Sequence, residues 1–107
     1  MKKLFLFVAA AVMVSLAPAS AMAADGAQAV WDKQCAKCHG KAGAGDTKMG
    51  EKMKVKDYTK ADVQAQFTDE QLAKVIREGE GKMPAYAKKL TPEQIQEQVK
   101  LIRSFKK

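Results

Sequence analysis

Cysteine and histidine are scarce in these 107 residues: two of the first, Cys35 and Cys38, and one of the second, His39. A structural zinc site wants four nitrogen or sulfur ligands, so these three residues cannot complete one. Aromatic residues make up only 7% of the chain and form no base-stacking cluster. The formal charge of +7 is therefore not read as nucleic-acid binding. Long apolar runs are also few. The one example, Leu4 to Leu16, falls short of the roughly 20 residues that cross a bilayer. No alternating apolar segments lie between hairpin signals, so no sheet is expected. The glycine-rich stretch from Gly40 to Asp46 follows no strand and lacks a closing Gly-Lys-Ser/Thr, which excludes a phosphate loop.

What is present begins with a leader. Lys2 and Lys3 precede the apolar run, Pro18 ends it, and Ala21-Met22-Ala23 supplies the small-x-small signature of signal cleavage. Residues 1–23 read as a secretory signal peptide cleaved after Ala23, with Ala24 as the alternative. Residues 24–107 then form one exported domain with no stable membrane insertion. Its charge stays positive without the leader's two lysines. So short a domain buries few apolar side chains and usually depends on a staple such as a metal or a disulfide.

Cys35-Ala36-Lys37-Cys38-His39 offers that staple. The Cys-x-x-Cys-His spacing is that of covalent c-type haem attachment. Two thiols three residues apart on a helical turn reach the vinyl groups along one porphyrin edge. The imidazole next in sequence is carried under the ring, where it can bind iron. Two other readings compete: a disulfide, expected of cysteine pairs outside the cytoplasm, and a thioredoxin-type pair, whose βαβ setting is absent. The leader favours haem, because attachment takes place outside the cytoplasm.

Helical periodicity accounts for most of the remainder. A first helix is expected over about 26–37, with Asp25 as N-cap and Ala27, Val30, Trp31 and Cys35 on one face. Trp31 should pack at a helix–helix contact beside the haem edge. The glycines that follow form a turn. Met49 and Met53 can share a face of a short helix, and Lys48, Lys52, Lys54, Lys56 and Lys60 read as a solvated face, with a docking patch as the alternative. Three segments repeat one N-terminal grammar: Thr59 with Asp62, Thr68 with Gln71, and Thr91 with Gln94. They place helices near 60–66, 69–78 and 92–106, with Pro92 at a first helical position and Gly79 as a stop signal. The last helix lines up Ile95, Val99, Ile102 and Phe105. The expected class is all-α, four to five short helices around one haem.

Met83 stands apart from the other methionines, on a loop constrained by Gly79, Gly81 and Pro84. A thioether presented that way can serve as a second iron ligand; the alternative is core filling. Met49 and Met53 are the other candidates.

CAKCHG, the turn at Gly40, Gly43 and Gly45, Asp57-Tyr58, GKMPAY and the terminal VKLIRSF together resemble a small bacterial class I cytochrome c with one haem. The resemblance implies crossed N- and C-terminal helices, haem c held by thioethers from Cys35 and Cys38, axial ligands His39 and Met83, and one-electron shuttling rather than enzymatic catalysis. Two departures stand out. No proline lies between Gly40 and Lys82, where many relatives have one near the carbonyl that orients the proximal imidazole; Lys48 to Gly50 are expected to supply that carbonyl instead. Leu101 replaces the aromatic that many relatives pack on the first helix. Lys37, Lys41, Lys82, Lys88 and Lys89 flank the two ligand segments and are expected to ring the exposed haem edge, attracting redox partners with acidic docking patches. A periplasmic monomer is expected. If Met83 did not ligate, the alternative is a five-coordinate gas-binding, sensing or peroxidase-like haem c protein.

Overall fold

The computed structural model describes residues 19–107, with side chains described from Gly26 onward. The leader expected over residues 1–23 lies outside the described residues as far as residue 18. Six helices follow: α1 (Ala19–Gln34), α2 (Ala36–His39), α3 (Lys48–Met53), α4 (Ala61–Gln64), α5 (Asp69–Glu78) and α6 (Pro92–Ser104). No strand occurs among the described residues, in keeping with the all-α reading. The sixth helix arises because the expected first one is broken. Cys35 takes φ −119°, so the helical axis stops at Gln34 and restarts as the single turn α2. Its start differs too. Helical backbone runs through residue 25, so Asp25 does not cap it.

α1 packs against α6, and α6 against α5. Trp31 from α1, Leu72 and Ile76 from α5, and Ile95, Val99 and Ile102 from α6 form the shared core. These are the positions that a 3.6-residue period brings to one face. Leu101 and Phe105 sit half-buried at its margin.

Two of the three capping boxes form as the sequence requires. Thr68 Oγ1 accepts from the Gln71 amide, and the Gln71 side chain accepts from the Thr68 amide. Thr91 and Gln94 repeat this at α6, with Pro92 in the first turn. Thr59 behaves differently. Its amide and hydroxyl both donate to Asp57 Oδ1, at 2.9 and 2.5 Å. Lys60 takes the N-cap position instead, and α4 shrinks to one turn. A local Asx-type bond has outcompeted the cap.

That short helix is held from a distance. Arg103 on α6 donates to Asp69 Oδ1 at 2.7 Å, to the Gln64 carbonyl at 2.7 Å, to Gln64 Oε1 at 2.8 Å and to the Phe67 carbonyl at 2.5 Å. The buried Gln64 amide in turn donates to the Tyr58 and Ile102 carbonyls, both at 2.7 Å. Arg103→Ala would leave Gln64 Oε1 and the Phe67 carbonyl without their donor, and the Gln64 carbonyl with only the Phe67 amide at 3.4 Å. Denaturant unfolding should show a loss of about 2–4 kcal/mol, with little rescue by Arg103→Lys, because an ammonium cannot replace the fork of donors.

Candidate haem site

The break at Cys35 decides how the site is built. Cys35 lies between α1 and α2, Cys38 and His39 within α2, and all three line one cavity of about 650 Å³. Both thiols are free. Burial, and after it the neighbouring Cys38, push the Cys35 thiol up to about 11. The group is therefore neutral, as the thioether that replaces it would be. Burial also holds the His39 imidazole below its ordinary value, which favours the neutral ring that binds a metal.

The segment after His39 turns at once. Gly40, Gly43 and Gly45 all take positive φ, and the Gly45 amide closes the loop on the His39 carbonyl at 2.7 Å. Trp31 Nε1 donates to the Gly40 carbonyl at 2.9 Å, which joins the turn to α1. Trp31 is only 2% exposed, so the expected core packing beside the site is met. The carbonyl expected from Lys48 to Gly50 does not reach the imidazole. His39 Nδ1 is buried and has no hydrogen-bond partner among the described residues. Thr47, the N-cap of α3, instead donates its hydroxyl to the Cys38 carbonyl at 2.8 Å.

Met83 reaches the same cavity from another part of the chain. Its amide donates to the Glu80 carbonyl at 2.9 Å and its carbonyl accepts from the Glu80 amide at 3.1 Å, closing a tight loop through Gly81 and Lys82. Gly79 (φ 77°) permits this, since a Cβ there would stand 2.6 Å from the Met83 carbonyl oxygen. Beyond Pro84 the loop is tied down twice. The Tyr86 amide donates to the Ile76 carbonyl at 2.9 Å, and its hydroxyl donates to the Gln34 carbonyl at 3.0 Å. That bond couples the Met83 loop to the last residue of α1, one position before Cys35.

Met49 and Met53 share a face of α3, as their spacing predicts, and also line the cavity. Apolar side chains, among them Phe67, Leu72, Val75 and Ile76, supply much of the remaining wall. Of the lysines expected at the rim, Lys37 and Lys82 line the cavity, whereas Lys41, Lys88 and Lys89 do not. Lys89 lies over the Tyr86 ring, 5.6 Å from its centroid. Lys54 and Lys56 belong to the cavity wall instead. Lys54 ends α3 in the left-handed region, at φ 55°, and that reversal carries the chain along the mouth. Only the positive-φ residue marks it, and lysine gives no sequence warning of one.

A cavity of this volume, within the roughly 300–1,000 Å³ of cofactor pockets, has a largely apolar wall, two free thiols and a buried imidazole. These residues fit a haem. The tie between the Met83 loop and α1 can be tested separately. Tyr86→Phe removes one part-buried hydrogen bond, so a loss of about 1 kcal/mol is expected in denaturant unfolding. Faster hydrogen exchange should accompany it at the Met83 amide.

Comparison with known proteins agrees. Residues 22–102 match the family described as Cytochrome C oxidase, cbb3-type, subunit III. Cytochrome c6 of Thermosynechococcus vestitus is 37% identical over 102 residues, covering 91% of this chain and 87% of that protein. The solved KustC0563 c-type cytochrome superposes with a TM-score of 0.71 at 33% identity, covering 76% of this chain and 98% of its own. A solved point mutant of that cytochrome gives 0.68 at 31%, covering 75% and 98%. No helix among the described residues is long and apolar enough to cross a membrane. The chain belongs to this cytochrome c family, as a small class I c-type cytochrome that carries covalently bound haem c and serves as an electron carrier, not an enzyme.

Proposed function

We propose that this cytochrome is an exported one-electron shuttle whose haem is fixed by thioethers from Cys35 and Cys38 and ligated by His39 and Met83. The observation that carries the reading is the meeting of these four side chains in one apolar cavity, although Met83 lies over forty positions from the cysteines. When bound, the haem supplies an iron that takes up and returns a single electron.

The chain's own residues do the rest. Cys35, at the N-cap of the turn α2, and Cys38, within it, would tether the group, and His39 is the last residue of that turn. The Met83 loop is bonded to α5 and α1 through Tyr86, so the thioether is presented without a change of backbone. A ligand set held this way needs little rearrangement when an electron arrives. Soft sulfur favours the ferrous state, and an apolar wall disfavours added positive charge; both raise the potential. Among the methionines of the cavity, Met83 is favoured because its loop is built from constrained residues. Met49 and Met53 extend from α3 as ordinary helical side chains.

At the mouth, Lys37, Lys54, Lys56 and Lys82 give a positive rim that suits redox partners with acidic patches, met in brief encounters. The leader and the haem motif together support export to the periplasm, and nothing in the reading requires more than a monomer.

Met83→Ala should abolish the sulfur-to-iron charge-transfer band and lower the potential while the haem stays attached. An unchanged spectrum would move the ligand to Met49 or Met53. Carbon monoxide binding by the reduced wild-type protein would favour a gas-binding haem instead. Electron exchange with an acidic partner should slow as ionic strength rises, and more weakly so in Lys54→Gln/Lys56→Gln; a rate independent of salt would leave these lysines as solubility residues.

A further inference from the structure

The plane of the His39 imidazole needs something to fix it, and a hydrogen bond does not. Nδ1 is buried and unpartnered among the described residues. Metal-bound histidines ordinarily donate that second N–H to a carbonyl or carboxylate, which fixes ring orientation and strengthens the ligand. Two aromatic rings flank the imidazole instead. Tyr58 stacks on it, with centroids 5.7 Å apart and planes 25° from parallel. Trp31 lies 5.6 Å away, tilted by 44°. Both separations fall within the range of favourable aromatic pairing.

Each flanking ring is itself held at its backbone or its polar edge. Trp31 Nε1 donates to the Gly40 carbonyl at 2.9 Å, and Phe105 packs on the indole at 5.0 Å. The Tyr58 amide donates to the Gly43 carbonyl at 2.9 Å, inside the glycine turn. Its carbonyl accepts from Gln64, which also grips the Ile102 carbonyl on α6. Both rings are thereby tied to the turn that leaves His39, so ligand and walls move as one unit.

We propose that Tyr58 and Trp31 are positioning residues that set the imidazole plane by packing, in place of a hydrogen bond to Nδ1. The inference rests on His39 being an iron ligand. It has two consequences. The orientation of the ring depends on a flat face at position 58, not on the Tyr58 hydroxyl. The imidazole also donates less electron density than a hydrogen-bonded one, which adds to the rise in potential.

The test is proton NMR of the ferric holoprotein, in which the spread and order of the haem-methyl shifts report the orientation of the axial ligand planes. Tyr58→Leu should change that order while the optical spectrum stays low-spin; Tyr58→Phe should keep the wild-type order. A wild-type order in Tyr58→Leu, or a changed one in Tyr58→Phe, would overturn the proposal. Should Tyr58→Leu not fold, Tyr58→Met keeps the volume without the flat face and is read the same way. Failure of the ligand assignment is seen elsewhere: His39 ring protons of the wild-type protein would then lie in the ordinary diamagnetic range. Strongly shifted His39 protons with an unaltered Tyr58→Leu pattern would reject the aromatic clamp alone.

Discussion

The hydrogen bond from Trp31 Nε1 to the Gly40 carbonyl spans the whole attachment turn, from the last full turn of α1 to the residue after His39. Between its ends lie both cysteines, the imidazole and the backbone break at Cys35. A chain this short buries only a small apolar core of its own. It uses a flat prosthetic group as the centre and closes helices around it. The turn must therefore be rigid before anything else packs correctly. α6 packs on α1, and Arg103 at the end of α6 pins the α4–α5 connection. The loop bearing Met83 is then fastened to Gln34 through Tyr86.

Much of this was legible in the sequence, where the physics is local. A capping box needs only four residues, so Thr68–Gln71 and Thr91–Gln94 declared α5 and α6. The spacing of the haem motif is dictated by the porphyrin, and glycine and proline neighbours singled out Met83 as the loop methionine, which the structure places at the cavity. What stayed hidden depends on distant partners or on close competition. Gln64 and Arg103 are 39 positions apart, and neither looks special in its own segment. Thr59 had the pattern of a cap, but Asp57 two residues earlier was the better acceptor. Tyr58 carried no motif beyond its place after Asp57, and its meeting with His39 depends on the fold of the glycine turn.

Charge shows the same division. Sequence proximity to the ligand segments pointed to Lys41, Lys88 and Lys89, yet the left-handed residue at Lys54 brings Lys54 and Lys56 to the cavity instead. From Lys48 to Lys60 the lysines outnumber the acids, which there are only Glu51 and Asp57. The molecule thus presents a positive side at the α3 flank of the cavity.

The central claim is that one haem is joined to Cys35 and Cys38, and the mass of the denatured, purified protein tests it most directly. The account predicts a chain heavier by one haem, with the added mass confined to fragments containing Cys35 and Cys38. A chain at its bare mass, with those two thiols free or joined to each other, would contradict it.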